Sequence, residues 1–387
     1  MTVPSVNWNY PTAIKAGPGR IKELPELCRG LGMTRPLLVT DPGLAALPMV
    51  ADVVRACSDA GLECGLFHEI KGNPTGRNVD DGVRAYKQGG HDGVIAFGGG
   101  SALDAAKAIA LMAGQTRPLW DFEDIGDNYL RVDVAGMAPV VAVPTTAGTG
   151  SEVGRASVIT DEVAEVKRII FHARMLPAVV ILDPELTVGL PPKITAATGM
   201  DALSHNLEAY CSPFFHPMAA GIAIEGMRLV KEYLPQAVAD GGDLQARLQM
   251  LVASSMGATA FQRGLGAMHA LAHPLGALYD AHHGTLNAIL MPYVLKANQH
   301  AVAPRLEALA RYLGLPDPGP GAVLDWVLSL RETLGIPHTL AEIGIDDAQA
   351  ERVGRMAAED PSAGGNPVNY TPEQYSDLFR AAIRGNL

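Results

Sequence analysis

Cysteine is scarce in this chain: four residues in 387, Cys28, Cys57, Cys64 and Cys211, with no CxxC pair and no zinc-ribbon spacing. That excludes a disulfide-stapled scaffold and fits a reducing compartment, so a cytoplasmic protein is expected. Basic charge is also short, with 30 Lys and Arg against 41 Asp and Glu and a net charge of -11. An acidic surface repels phosphate backbones and anionic lipids, which excludes nucleic acid as the main partner. No apolar run is long enough to span a bilayer, so no membrane helix is expected. The N-terminal MTVPSVNWNY has no basic start leading into an apolar core, so no secretory signal is visible. Two mechanistic motifs are missing as well: there is no Gly-Lys-Ser/Thr of a phosphate loop and no GxSxG nucleophile elbow.

What is present is a large apolar fraction, 48% of the chain, and 42 glycines, above the usual share of about 7%. The length suits two domains or three. Short apolar runs bounded by Gly or Pro recur in the first half, at 36–40, 62–70, 93–97, 139–144 and 178–184, with helical patterns between them. Strands of that kind imply a parallel sheet covered on both faces, hence an α/β domain. From about residue 192 the texture becomes helical, with segments at 193–211, 217–240, 244–262 and 264–279, then near 297–313, 322–334, 347–359 and 372–384. The expected organisation is therefore an α/β dinucleotide-binding domain over 1–190 and an all-helical domain over 191–387, with Pro191-Pro192 as the hinge.

Three places, and the single residue Asp41, could carry chemistry. Gly98-Gly99-Gly100-Ser101 follows an apolar strand and precedes the helical ALDAAKAIALMA. Glycines let a backbone approach a pyrophosphate, and a helix N-terminus adds N–H groups and a positive dipole end. Ser101 is expected to cap that helix, with Asp104 three residues on as its partner. Pro144-Thr145-Thr146-Ala147-Gly148-Thr149-Gly150-Ser151-Glu152 follows the next strand and offers hydroxyls and backbone donors to a ribose or phosphate. Asp41, at the end of the run PLLVT, suits a ribose 2'-hydroxyl and repels a 2'-phosphate, which favours NAD over NADP.

The third place is the histidines. Of 11 in the chain, His269, His273, His282 and His283 fall within 15 residues, and Asp201 and His205 lie four apart in MDALSHNLEAY. Residues at i and i+4 share a helix face, as do His269 and His273. A lone histidine on an apolar helix is usually a core residue, but two one-face pairs make that account poor. A carboxylate with imidazoles suits Fe2+ or Zn2+. The spacing alone leaves open which three histidines bind.

GGGSALDAAKAIA, PTTAGTGSEV, ATGMDALSHNLEAY, GLGAMHALAHPLGALYDAHHGTLNAILMP and the late GGNP together resemble the iron-dependent (group III) alcohol dehydrogenases, over nearly the whole chain. The resemblance implies hydride transfer between NAD(H) and a small primary alcohol or its aldehyde, with Fe2+ ranked before Zn2+, in a homodimer or larger assembly. It implies metal ligands at Asp201, His205, His269 and His283, and a non-ligand histidine at His273 that relays a proton near the nicotinamide. It places Asp41, Asn73, Gly100, Ser101, Thr145, Thr146, Thr149, Val158, Lys167 and Leu186 along the cofactor, and Gly99 and Asp104 join them from the glycine-loop reading. Two positions depart from the family pattern. His282 replaces the usual proline before the last ligand, and Gly154-Arg155 stands where threonine is common. Arg155 is read either as an anchor for an acidic substrate group or as an ion-pair residue. Rival readings are a dehydroquinate-synthase-type lyase, a metal-free reductase of the maleylacetate type and a non-catalytic binder. The lyase needs a basic cluster, whereas 260–290 offers only Arg263; the metal-free reductase has no use for Asp201.

Overall fold

The computed structural model describes residues 6–8 and 12–387; most of the N-terminal stretch read for a leader lies outside the described residues. The chain forms two compact units, one from Met1–Thr146 and Gly150–Gly189, the other from Ala147–Thr149 and Leu190–Leu387.

The first unit holds nine strands: β1 (Val6–Trp8), β2 (Ala13–Ala16), β3 (Pro36–Val39), β4 (Gly65–Phe67), β5 (Gly93–Gly98), β6 (Val140–Pro144), β7 (Ala156–Asp161), β8 (Val166–Phe171) and β9 (Val179–Leu182). Seven make one sheet in the order β1-β2-β9-β6-β5-β3-β4, parallel except for β1 against β2. Every residue of β3, β5 and β6 is buried, which is why these strands read as continuous apolar runs and not as alternating ones. Helices α1 (Leu24–Gly30), α2 (Pro42–Ala45), α3 (Pro48–Asp59), α4 (Gly76–Gln88) and α5 (Gly100–Met112) connect them. Because β3, β5, β6 and β9 are parallel neighbours, their C-terminal ends share one edge. Asp41, the glycine loop, Thr145-Thr146 and Leu186 all leave from that edge, the usual ligand edge of such sheets.

Several expectations need correction here. The strand expected over 62–70 is only Gly65–Phe67, because only those three residues pair with β3. The hairpin β7–β8 was not foreseen at all. Its residues alternate in burial in β7 and are half-exposed along most of β8, so it lacks the buried-run signature of the main sheet.

The second unit is helical among the described residues: α6 (Pro192–Cys211), α7 (Pro217–Ala239), α8 (Leu244–Ala260), α9 (Ala267–Tyr279), α10 (His283–Tyr312), α11 (Ala322–Thr333), α12 (Ala350–Glu359) and α13 (Pro372–Arg384). Pro192 is the first residue of α6, where its missing N–H costs nothing. α6 is buried from Thr195 to Ala209 on all faces, as befits a helix surrounded by others. α10 begins at His283, well before the expected 297, and carries Pro292 and Pro304 inside it. Those prolines, and the glycine at 284, obscured its first half in the sequence.

Candidate functional site

In the α/β unit the glycine loop is tighter than a plain turn. Gly98 ends β5 at φ +143°, a left-handed conformation that L side chains rarely adopt, and a Cβ there would sit 2.9 Å from Ala102 Cβ. Gly99 is the N-cap of α5, and no side chain caps the helix. Ser101 therefore lies inside the first turn and is not the cap; Gly99, lacking a side chain, takes the capping position. The first-turn N–H groups of α5 consequently point outward without a side-chain acceptor, which is the arrangement that receives a phosphate. Thr145 N–H donates to Gly98 O (2.9 Å), and a Cβ on Gly99 would stand 3.4 Å from Thr146 Oγ1, so the two motif loops lie side by side.

Asp104 is not paired with Ser101. Its carboxylate accepts from Ser151 Oγ (2.5 Å) and Val158 N–H (2.9 Å), with the buried Lys107 ammonium 3.5 Å away. Burial pushes the Lys107 pKa down, while Asp104 and Glu152 pull against it. Asp104 thus holds the 151–158 segment in place. Asp41 Oδ1 accepts from Leu44 N–H (3.0 Å) and caps α2. Asn73 has φ +51° and its Oδ1 accepts from Lys167 Nζ at 2.8 Å. Leu186 is buried in the turn after β9. Thr149 falls in the stretch Ala147–Thr149 that belongs to the helical unit.

In the helical unit, Asp201 and His205 lie one turn apart on α6, and α9 supplies His269 and His273. The ligand atoms of Asp201, His205 and His269 all lie within 4.8 Å of one another. His283 Nε2 is 3.7 Å from Asp201 Oδ1, and its ring centroid is 5.3 Å from that of His269 and 5.6 Å from that of His273. Gly284 makes this approach possible: a Cβ there would come within 2.5 Å of Ala197 O on α6. The adjacent His282 does something else. It is the N-cap of α10, its Nδ1 accepting from Thr285 N–H at 3.3 Å.

Hydrogen bonds fix how the imidazoles face. His269 Nδ1 pairs with Glu208 Oε2 at 2.6 Å, and His205 Nδ1–H donates to Gly148 O at 3.3 Å. Burial drives His205 down to about 4, so its ring is neutral at ordinary pH, the form that binds metals. The acceptors of three groups converge on one amide: Asn287 Nδ2 lies 2.8 Å from Asp201 Oδ1, 3.2 Å from His269 Nε2 and 3.1 Å from His283 Nε2. Its own Oδ1 is buried with no partner. A buried carboxylate and imidazole lone pairs facing a common point fit a divalent cation of the Fe2+ or Zn2+ kind.

His273 Nδ1–H donates to Asp360 Oδ2 (2.8 Å), whose Oδ1 accepts from Ser362 N–H (2.8 Å). Burial pushes Asp360 up, but the imidazole and Ser362 outweigh it and hold the carboxyl below its ordinary value. Sequence reading missed Glu208, Asn287 and Asp360. The first two were findable, since Glu208 lies three residues past His205 and Asn287 four past His283 on the same helices. Asp360 comes from a distant turn and left no local signal.

Residues 11–184 match the model of the iron-containing alcohol dehydrogenases, and residues 195–383 match that of the C-terminal part of the Fe-containing alcohol dehydrogenase family. The 4-hydroxybutyrate dehydrogenase of Cupriavidus necator is 39% identical over 387 residues, covering 97% of this chain and 99% of its own. A solved 1,3-propanediol oxidoreductase superposes with a TM-score of 0.90 at 34% identity, over 99% of this chain and 100% of that one. A sulfoacetaldehyde reductase from Bifidobacterium kashiwanohense, solved in complex with NAD+, gives a TM-score of 0.86 at 29% identity over 99% of both chains. The chain belongs to the iron-containing alcohol dehydrogenase family, and it is an oxidoreductase of alcohols and aldehydes.

Proposed function

We propose that this protein interconverts a small primary alcohol and its aldehyde by hydride transfer with NAD(H), using Fe2+, with Zn2+ as the second choice. The observation that carries the reading is the convergence of Asp201, His205, His269 and His283 acceptor atoms in the helical unit. When bound, the ion supplies Lewis acidity toward an alcohol or carbonyl oxygen, and the nicotinamide supplies the hydride acceptor or donor.

The chain's own residues do the rest. Asp201, His205, His269 and His283 hold the cation, and Asn287 sets the direction of three of them. The bare N–H groups at the head of α5, with Gly99, Gly100 and Ser101, receive the diphosphate, and Thr145 and Thr146 supply hydroxyls beside it. Asp41 faces the adenosine ribose and selects NAD; Asn73, Val158, Lys167 and Leu186 line the remainder. Asp104 serves by holding Ser151 and Val158. His273 holds and passes the alcohol proton at Nε2, since its Nδ1–H is committed to Asp360. In this reading residues 1–190 bind the dinucleotide and 191–387 bind metal and substrate. A cytoplasmic homodimer completes it, supported by the cysteine scarcity and the family resemblance; among the described residues no helix is long and apolar enough to cross a membrane.

The test is a panel of primary alcohols and aldehydes followed by NADH absorbance, on protein stripped of metal and reloaded with Fe2+ or Zn2+. Turnover that returns with metal is expected. Absence of metal-dependent turnover on every member of the panel sinks the proposal. No observation favours the lyase reading.

A further inference from the structure

The late motif GGNP and the glutamate of HNLEAY have no role in the reaction as described, yet they meet at one point. Helix α9 has no side-chain cap of its own, because its N-cap is Gly266. Its leading N–H groups are instead taken by side chains from far along the chain. Gly266 N–H donates to Glu208 Oε2 (2.9 Å) and Met268 N–H to Glu208 Oε1 (2.7 Å), while Ala267 N–H donates to Asn366 Oδ1 (3.1 Å). Asn366 is fixed in turn. It exchanges hydrogen bonds with Asn298 at 2.8 and 3.0 Å and donates to Val368 O at 2.8 Å; Tyr370 OH donates to Asn298 Oδ1 at 2.8 Å. Glu208, Asn298 and Asn366 are all buried.

The same Glu208 oxygen that accepts from Gly266 also accepts from His269 Nδ1–H at 2.6 Å. A carboxylate there does three things at once. It satisfies donors at the positive end of α9, it sets the height of His269 on that helix, and it fixes the proton on Nδ1 so that the Nε2 lone pair faces Asp201 and Asn287.

We propose that Glu208, backed by Asn366, is a positioning residue for the metal centre: a clamp on the head of α9 that presents His269 Nε2 to the cation. This rests on the metal reading above. A carboxamide in place of the carboxylate has one acceptor oxygen for three N–H donors. One end of it then opposes a donor with its own NH2, and the charge behind the imidazole is gone.

The experiment titrates metal-stripped wild type and Glu208→Gln with Co2+, read by its visible absorption against a competing chelator, beside the melting temperature of both metal-stripped proteins. The expected result is Co2+ affinity weakened roughly 10–100-fold, the range typical of lost outer-shell partners, whatever the melting temperature does. Unchanged affinity overturns the clamp, including the case where Glu208→Gln only melts earlier, which marks a structural role. If Glu208→Gln does not fold, Glu208→Asp is read in the same way, its charge kept but its reach shortened. Wild type that binds no Co2+ fails the metal reading itself and the clamp with it, whereas binding by wild type and equally by the variant fails the clamp alone.

Discussion

The two units of this chain build their sites from opposite materials. The helical unit gathers side chains: one carboxylate and three imidazoles from α6, α9 and α10, all turned inward and oriented by Glu208, Asn287 and Gly148. The α/β unit offers mostly backbone: bare N–H groups at the head of α5 and a glycine at φ +143°, with Thr145 and Thr146 beside them. A site made of convergent buried side chains fails sharply when one is removed, because each remaining group stays desolvated without its counterpart. A site made of backbone N–H groups loses affinity in smaller steps, since each donor survives most substitutions. The mutational contrast between the units follows.

The largest effect is expected in the helical unit. His205→Ala or Asp201→Ala should leave the protein without stoichiometric metal by elemental analysis, and should cost more activity than the roughly 100-fold that loss of an outer-shell partner can cost. Activity that persists with no bound metal would break the comparison at its strong end.

Next comes the proton path. His273→Ala should lower kcat by about 10²–10⁴-fold, the usual range for a positioned acid-base group, with metal content unchanged. Asp360→Asn should lower kcat as well, because an amide can donate to Nδ1 and so leaves the wrong tautomer. In the His273→Ala background the same Asp360→Asn change should add nothing. Additive losses would mean that Asp360 only supports the turn at Ser362.

How much of this was legible in the sequence follows the same division. Asp201 with His205, and His269 with His273, announce themselves by i,i+4 spacing, because a helix makes neighbours of residues a turn apart. Glu208 and Asn287 obey that rule too and were overlooked only because they are not obvious ligands. Asp360 and Asn366 reach their partners across 87 and 99 residues, and no local periodicity encodes such pairing. In the α/β unit, the buried runs of β3, β5, β6 and β9 were readable, since strands covered on both faces need apolar residues throughout. β7 and β8 were not, because a half-exposed hairpin has no such run. Ser101 misled for a chemical reason: serine is a favoured cap, but the chain enters α5 two residues too early for it, at Gly99.

The α/β unit should respond more mildly. Gly98→Ala forces a Cβ into a left-handed backbone 2.9 Å from Ala102 Cβ, a strain of about 1–3 kcal/mol. The expected signature is a lower melting temperature and a raised KM for NAD+, with metal content intact. A normal KM would show that the glycine serves folding and not the diphosphate. Asp41→Gly is smaller still. Glycine is tolerated at an N-cap, so α2 should survive, while removal of the carboxylate should raise use of NADP+ relative to NAD+. No gain with NADP+ would count against Asp41 as the selector.

The smallest expected effect is at Arg155. Its guanidinium lies 5.7 Å from the centroid of the Phe171 ring, and it opposes the burial that raises the Asp124 carboxyl pKa. Both partners belong to its own unit, Phe171 on β8 and Asp124 in the segment between α5 and β6. Contacts of that kind at exposed sites are worth about 1 kcal/mol or less. If Arg155 instead gripped a substrate carboxylate, the charge-assisted bond would contribute about 1.5–3 kcal/mol, or roughly 10–100-fold in kcat/KM. Arg155→Ala, assayed on a hydroxy acid such as 4-hydroxybutyrate and on a neutral alcohol, separates the two. We expect the ratio of kcat/KM between them to stay constant, which keeps the α/β unit a backbone-built site. A selective loss on the hydroxy acid would give that unit a side-chain grip on the substrate itself and narrow the contrast between the two.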